Sequence, residues 1–325
     1  MSTNATTTAT QPYARAAEPS AVAYALWDNL GRVVKGKNDP IRLAVVALLS
    51  GGHLLVEDVP GVGKTLLAKS LARSMGASTA RVQGTHDLMP SELTGVSVHH
   101  PHSGEWHFHP GALFANVVVV DELNRCTPRT QAALLEAMEE RQVSVDGTTR
   151  PLPDPFFVVA TQNPHEHAGT FPLVEGQRDR FALVTTMGYP DRASEKGLLL
   201  GRGGVPGLDD LTAVTTAAGV SAAIAATSEL HVAGAVADYV LELIAATRTH
   251  PEVVLGASTR AAMWVVRAAK AHAVLCGRDY VSPADVQAVA APALAHRLLL
   301  VGGPDAAVAA ALVGRIVEQV PVPRE

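Results

Sequence analysis

Short apolar segments alternate with stretches of helical apolar spacing over the first 190 residues of the chain. Five short segments of strand-forming residues are bounded by turn residues, which predicts strands at residues 53–57, 79–83, 116–121, 156–161 and 182–186. Four other segments carry apolar residues every three or four positions, which predicts helices at residues 21–34, 41–49, 65–75 and 127–140. Strands that alternate with helices favour a parallel sheet covered by helices, the α/β class.

The pattern changes near residues 187–190, beyond which Ala- and Leu-rich helical spacing continues with little strand signal. We therefore predict an α/β domain at residues 21–188 and an all-helical domain at residues 189–325. Residues 1–20 are rich in Thr, Ala and Ser and lack the apolar core of a signal peptide. We expect this segment to be a disordered tail.

The composition of the chain indicates which classes of protein it does not resemble. The chain is 325 residues long and 47% hydrophobic, which is enough to bury a large core. A net charge of −5 argues against a dedicated nucleic-acid-binding protein, which usually has a basic excess. The two cysteines, Cys126 and Cys276, form no metal-like pair and fit a reduced, cytoplasmic setting. No apolar run reaches the roughly 18 residues that a membrane span needs.

Residues 58–65, with the sequence DVPGVGKT, lie between a predicted strand and a predicted helix. They match the GK[ST] end of the Walker A phosphate-binding loop, although Asp58 stands where the first glycine is usual. Gly61 and Gly63 permit backbone turns that direct N–H groups at phosphate oxygens. Lys64 can then reach the β- and γ-phosphates of a nucleotide, and the Thr65 hydroxyl can ligate Mg²⁺. A glycine-rich turn with an incidental lysine is the alternative.

Two further polar groups follow predicted strands. Asp121 and Glu122 come directly after four valines, a run typical of a strand buried on both faces. At that edge of the sheet Asp121 can hold Mg²⁺, and Glu122 can deprotonate an attacking water. Asn163 follows the fourth strand and can position the same water, although an Asn-Pro pair is equally typical of a turn. Without the phosphate loop, a solvated acidic turn would be the better interpretation of the two acids.

Together these blocks resemble AAA+ ATPases of the MoxR family over residues 33–296. The resemblance is carried by GHLLVEDVPGVGKT at 52–65, DELNR at 121–125, TQAALLEAMEERQV at 130–143, ATQNP at 160–164 and GTFPL at 169–173. It implies an ATP-hydrolysing α/β nucleotide-binding domain with a parallel sheet, followed by a helical lid, with the nucleotide between them. The implied nucleotide-binding residues are Asp58, Val59, Pro60, Gly61, Val62, Gly63, Lys64, Thr65 and Leu66, with Thr65 and Asp121 holding Mg²⁺.

The resemblance also implies two arginines at the nucleotide. In the block QRDRF at 177–181, Arg180 would be the arginine finger that reaches the nucleotide of a neighbouring subunit. Arg178 stands where the family usually has an apolar residue, so either arginine remains open as the finger. Arg260, in a block that resembles the family's GASPR, would be the sensor 2 residue and contact the γ-phosphate from the lid.

Assembly and partners are implied by the resemblance alone. It implies a hexameric ring that acts as a chaperone, maturing or inserting cofactors into partner complexes, often with a von Willebrand factor A domain protein. Residues 83–95 resemble the segment that leads into an insert facing the ring pore, and residues 142–151 resemble a hairpin that faces the same pore. Residues 33–37 resemble the segment that packs on adenine. A DNA-acting AAA+ motor and a nucleotide-gated scaffold without appreciable turnover are the alternatives.

Two groups of reactive side chains are not assigned a chemical role. Five histidines between residues 99 and 109 match no zinc spacing. Two of them, His107 and His109, alternate with Trp106 and Phe108, which predicts a hairpin strand. Cys126 has no evident base partner and is predicted to be a packing residue.

Overall fold

The computed structural model describes residues 18–58, 62–102, 104–163, 169–189, 192, 196, 207–303 and 305–323. The predicted tail at residues 1–20 therefore lies almost wholly outside the described residues, as do Val59, Pro60, Gly61 and part of the predicted domain boundary. Within the described part, no helix is both long enough and apolar enough to cross a membrane.

The strands, in chain order, are β1 (Leu54–Glu57), β2 (Thr79–Gln83), β3 (Val96–His99), β4 (Trp106–His109), β5 (Val117–Asp121), β6 (Gln142–Val145), β7 (Thr148–Pro151), β8 (Phe157–Gln162), β9 (Leu183–Thr185), β10 (Val253–Leu255) and β11 (Leu299–Leu300). The α-helices are α1 (Pro19–Val33), α2 (Asn38–Leu49), α3 (Lys64–Ser74), α4 (Pro90–Thr94), α5 (Pro128–Glu140), α6 (Glu175–Arg178), α7 (Ala217–Ser228), α8 (Gly234–Thr249), α9 (Thr259–Leu275), α10 (Pro283–Leu294) and α11 (Ala306–Gln319).

Five parallel strands form the central sheet in the order β2-β5-β8-β1-β9. These are the five strands that the sequence predicts, and the α/β class with a parallel sheet is confirmed. Every residue of β5 is buried, as the run of valines indicates for a strand with neighbours on both sides. The order places the carboxyl ends of β5, β8 and β1 next to one another, where ligands of parallel sheets bind.

Two antiparallel hairpins project from this sheet. Strands β6 and β7 form the hairpin predicted at residues 142–151, and β3 pairs with β4. The guanidinium of Arg150 lies 3.9 Å from the ring centre of Phe108, so a cation–π contact joins the two hairpins. Cys126 is fully buried in the core, and burial raises the pKa of its thiol to about 11. This environment suits the packing role predicted for Cys126.

The second part of the chain, residues 207–323, is built mainly of helices, as predicted. It also contains the antiparallel pair β10–β11, which the sequence analysis missed because these strands are only three and two residues long. Helix α10 packs against α9, α11 and the edge strand β9, while α1 packs against both α3 and α7. The helical part therefore packs against the sheet at its edge strand β9 and against the N-terminal helix.

Arg297 attaches the helical part to the sheet. Its side chain is 3% exposed, and its guanidinium makes an ion pair with Asp179 at 2.6 Å. The same guanidinium donates to the carbonyl oxygens of Asp179, Phe181 and Ala182, in the segment that enters β9. Breaking a buried ion pair of this kind leaves an uncompensated charge. Separating the helical part from the entry to β9 therefore costs free energy.

His53 is a buried histidine that stabilises the entry to β1 in its neutral form. Its Nε2–H donates to the carbonyl oxygen of Met138 at 3.1 Å, and its Nδ1 accepts the N–H of Val158 at 3.0 Å. Burial, and then the charge of Arg141, lower the pKa of His53 from 6.5 to about 3. Both ring nitrogens are used by the neutral tautomer, so protonation must break one of these bonds.

We therefore expect acid to destabilise the protein through His53. Above pH 6.5 the imidazole is neutral in both folded and unfolded chains, and the full stability is present. As the pH falls from 6.5 towards 3, only the unfolded chain takes up the proton, and the free energy of unfolding falls. The slope from this group is at most about 1.4 kcal/mol per pH unit.

Urea unfolding at several pH values would measure that slope. The variant His53→Asn should be less stable at neutral pH but should show a shallower dependence on pH. His102→Gln, which removes an exposed imidazole, is the control and should keep the slope of the unmodified protein. A His53→Asn slope equal to that of the unmodified protein would show that another group accounts for the acid sensitivity.

Candidate active site

Thr65 and Asp121 meet at the carboxyl edge of the sheet. Thr65 lies in the first turn of α3, which starts after Gly63 with its backbone at φ +98°, a conformation that favours glycine. The Thr65 hydroxyl lies 3.1 Å from one carboxylate oxygen of Asp121 and 3.3 Å from the other. A hydroxyl and a carboxylate form the oxygen donor set that Mg²⁺ prefers, so these two residues fit that ion.

Lys64 precedes Thr65 at the start of α3. Its Nζ donates to the carbonyl oxygen of Asp58 at 2.8 Å, which holds the ammonium group beside the residue that follows β1. Burial lowers the pKa of Lys64, and the carboxylates of Asp58, Asp121 and Glu122 act in the opposite direction. Three carboxylates thus stabilise the charged form of Lys64. The ammonium group lies at the first turn of α3, and an anion bound there would stabilise its charge further.

The Asp58 side chain binds the segment that follows β9. Its carboxylate accepts the N–H of Gly188 at 2.5 Å. The ammonium of Lys37, which is buried, donates to the carbonyl oxygens of Gly188 and Tyr189 at 2.8 and 2.6 Å. Lys37, in the segment predicted to pack on adenine, therefore contacts the same residue, Gly188, as the carboxylate of Asp58. The Asp58 side chain thus joins the end of β1 to the segment that follows β9.

Glu122 is held at the end of β5 in an unusual backbone conformation. Its φ is +57°, and its N–H donates to the hydroxyl of Thr161 at 3.0 Å. The carboxylate accepts the side-chain amide of Gln83 at 2.9 Å and lies 3.2 Å from the guanidinium of Arg125. A side chain at Gly84 would come within 2.2 Å of the Glu122 carbonyl oxygen, so only glycine fits there.

Two residues of β2 belong to this site and were missed by the sequence analysis. Arg81 makes an ion pair with Asp121 at 2.7 Å, and Gln83 bonds to Glu122 as described above. Strand β2 pairs with β5 in a parallel register that puts Gln83 opposite Asp121. The sequence shows β2 as an alternating strand but does not show which strand lies beside it.

Asn163, predicted to position the attacking water, follows β8, one strand away from Asp121. Its carbonyl oxygen accepts the amide of Asn124 at 3.5 Å, which joins it to the turn after Glu122. Thr161, two residues earlier, lies between the Glu122 N–H and the Asp121 carboxylate. The structure thus brings the end of β8 to the two acids, as the strand order requires.

Arg178 is engaged inside the subunit. It pairs at 2.9 Å with Glu57, a 4% exposed carboxylate at the end of β1, which also accepts the amide of Gln162 at 2.6 Å. This buried cluster joins the ends of β1 and β8 to helix α6. Arg178 is therefore held by Glu57 at this edge of the sheet, and its side chain is less exposed than that of Arg180, at 19% against 32%.

Arg180 and Arg260 lie together on the carboxylate of Glu139. The Nε of Arg180 is 2.9 Å from Oε2 of Glu139, and an Nη of Arg260 is 2.8 Å from Oε1. Arg260 also lies 3.7 Å from Asp179. We call Arg180 and Arg260 the arginine pair and Glu139 its glutamate. The three side chains are half-buried, with exposed fractions between 32% and 43%.

The arginine pair lies towards the amino edge of the sheet, away from Thr65 and Asp121. Arg141, two residues after Glu139, donates to the carbonyl oxygens of Gly51 and Phe156, which precede β1 and β8. Trp264 of α9 packs against Gly52 at the same edge. Within one subunit the structure therefore does not bring Arg260 to Thr65 and Asp121, and its contact with a γ-phosphate from the lid stays a prediction. Helix α9 packs at the opposite edge of the sheet.

Comparisons with known proteins agree with this fold. A model of the ATPase family associated with various cellular activities (AAA) matches residues 53–183, and an AAA lid domain model matches residues 245–320. Protein YeaC of Bacillus subtilis is 44% identical over 273 residues, covering 84% of this chain and 85% of that protein. Chaperone MoxR1 of Mycobacterium tuberculosis is 39% identical over 278 residues, covering 83% and 73%. A solved structure of a candidate ATPase from Cytophaga hutchinsonii superposes with a TM-score of 0.83 at 33% identity, covering 94% of this chain and 97% of that one.

Proposed function

Because this chain belongs to the MoxR family of AAA+ ATPases, we propose that it hydrolyses ATP in a ring of identical subunits and acts as a chaperone on partner protein complexes. The observation that carries the proposal is the meeting of Lys64, Thr65, Asp121 and Glu122 at one edge of the parallel sheet. This is the edge at which ligands of parallel α/β sheets bind.

ATP would bind with its phosphates at the start of α3. Backbone N–H groups there point at the phosphates, and the helix dipole favours negative charge. Lys64 would bind the β- and γ-phosphates, exchanging its bond to the Asp58 carbonyl for bonds to phosphate oxygens. Thr65 and Asp121 would hold Mg²⁺, which neutralises charge on the phosphates when it is bound.

Glu122 would be the general base for hydrolysis. Its carboxylate lies beyond Asp121 at the strand end, and Gln83 and Arg125 orient it. A carboxylate within hydrogen-bond reach of a water can take its proton as the water attacks the γ-phosphorus. Asn163, at the end of the next strand, would hold that water in line for attack.

The arginine pair would complete the site of the neighbouring subunit. Arg180 and Arg260 lie towards the amino edge of their own sheet, so they serve a nucleotide bound to the next chain better than their own. Guanidinium groups stabilise the charge that develops on the transferred phosphoryl group. Heterologous contacts of this kind close into a ring, and a hexamer is the state that we expect.

The chaperone role rests on the relatives. One similar protein is named a chaperone, MoxR1, and it is matched over most of this chain. We propose that the client is a protein complex, with a von Willebrand factor A domain protein as an adaptor and maturation or cofactor insertion as the outcome. The negative net charge of the chain is consistent with a protein client rather than DNA. A cytoplasmic location suits this role.

The rate of ATP hydrolysis per subunit, measured against protein concentration, tests the proposal. We expect the rate to rise with concentration to a plateau, because each site needs arginines from a neighbour. Lys64→Ala should abolish turnover at every concentration. A rate per subunit that stays constant down to concentrations at which the protein is monomeric would contradict sharing of the site. A rate near zero throughout would favour a nucleotide-gated scaffold instead.

A further inference from the structure

Glu139 divides its carboxylate between two arginines from different parts of the chain. Oε2 accepts Arg180, which precedes β9, and Oε1 accepts Arg260, at the start of helix α9. Each oxygen therefore carries one guanidinium, whereas a two-pronged pair would use both oxygens for a single arginine. The distance between the two guanidinium groups is set by one rigid carboxylate.

The surroundings of Glu139 leave positive charge in excess. Asp179 is the other acid of the cluster, and it is already bound by the buried Arg297 at 2.6 Å. Three guanidinium groups thus share two carboxylates. The Arg180 hydrogen bond, followed by that of Arg260, lowers the pKa of Glu139, so this residue stays ionised. A cluster with this balance is suited to accept one more anion from outside the subunit.

We propose that Glu139 is a positioning residue that holds Arg180 and Arg260 at the spacing needed to receive the γ-phosphate of a neighbouring subunit's ATP. The proposal rests on the proposed function, since it assumes that these arginines act between subunits. Glu139 itself does not contact the nucleotide. It acts by reducing the freedom of two long side chains before the subunits meet, so that less entropy is lost when the phosphate arrives.

An ordinary surface ion pair is the competing explanation. Such pairs contribute little to stability, with a median of about 0–1 kcal/mol. If Glu139 formed a pair of this kind and nothing more, its removal would leave the ATPase rate unchanged. Glu140, the next residue of helix α5, is also exposed and makes no ion pair within the described part of the chain. It offers a matched control, because Glu140→Gln removes the same charge one position away.

The first measurement is the ATPase rate of Glu139→Gln and Glu140→Gln at a concentration where the protein is assembled. We expect kcat of Glu139→Gln to fall about 10-fold with little change in the KM for ATP, because the transition-state contacts are lost and the binding loop is intact. Glu140→Gln should match the unmodified protein. An unchanged or raised kcat in Glu139→Gln would overturn the proposal.

The second measurement places the effect in the neighbouring subunit. Glu139→Gln subunits are mixed with an excess of hydrolysis-deficient Glu122→Gln subunits, which keep an intact Glu139. In a matched second mixture, the subunits added in excess carry both Glu122→Gln and Glu139→Gln. We expect the first mixture to hydrolyse ATP up to about 10-fold faster than the second. In both mixtures hydrolysis occurs at the sites of the Glu139→Gln subunits, but only in the first do the added subunits keep the Glu139 that positions their arginines. Equal rates in the two mixtures would show that Glu139 acts within its own subunit and would overturn the proposal.

These outcomes remain separate from failure of the proposed function. If Arg180→Ala is inactive while Glu139→Gln is fully active, the shared site stands and the positioning role is wrong. If Arg180→Ala is as active as the unmodified protein, the shared site fails and the positioning role fails with it.

Discussion

Replacing Glu122 by glutamine is expected to reduce kcat for ATP hydrolysis by roughly 10²- to 10⁴-fold, the usual contribution of a general base. Glutamine has the same shape and can keep the contact with Gln83 after rotation of its amide, but it cannot take a proton from water. Lys64, Thr65 and Asp121 are untouched, so affinity for ATP should be retained. The variant should therefore trap the ATP-bound state.

Turnover assays and equilibrium binding of a fluorescent ATP analogue would check both halves of this expectation. Glu136→Gln, an exposed glutamate on helix α5, is the control and should behave like the unmodified protein. Loss of ATP binding in Glu122→Gln would instead point to a disturbed turn at the end of β5, where Glu122 has a φ of +57°. Undiminished hydrolysis would assign the base to another residue.

Replacing Arg180 by alanine is expected to lower kcat by about 10³-fold or more, the range found for arginine fingers. The guanidinium of Arg180 is half-buried and pairs with Glu139, which is itself partly exposed, so its loss should leave folding and ATP binding intact. Arg178→Ala should behave differently. It leaves the buried carboxylate of Glu57 unpaired and should reduce the free energy of unfolding by about 3 kcal/mol.

Subunit mixing separates a shared site from a local defect. Arg180→Ala subunits have an intact phosphate loop, and Glu122→Gln subunits have an intact Arg180, so an equal mixture should recover part of the activity that each lacks alone. Urea unfolding of both arginine variants completes the comparison. If Arg178→Ala loses turnover without losing stability, and Arg180→Ala keeps turnover, the assignment of the finger would move to Arg178.

Local features of this chain could be predicted from its sequence because they depend on neighbouring residues. The run of four valines before Asp121 gives a strand buried on both faces, and Thr127 caps helix α5 through the N–H of Thr130. The five strands of the sheet follow from apolar segments between turn residues. The edge at which Thr65 and Asp121 meet then follows from the common direction of parallel strands.

Features that depend on distant pairing could not be predicted in this way. Gln83 reaches Glu122 only because β2 lies beside β5, and nothing in residues 79–83 specifies that neighbour. Nothing in the sequence around Arg260 specifies that α9 packs at Gly52, at the edge of the sheet away from Asp121. Short strands such as β10 and β11 carry too few residues for a period to be recognised.

The buried Arg297 has a mechanical consequence. Its guanidinium is bonded to the carboxylate of Asp179 and to the carbonyl oxygens of Asp179, Phe181 and Ala182 at the entry to β9, so the last helices and the edge of the sheet cannot separate without exposing a paired charge. Hinge bending within one chain at this junction is therefore costly. The helical part and the edge of the sheet would therefore move as one rigid body during hydrolysis. The conformational change would be taken up at the interfaces between neighbouring subunits.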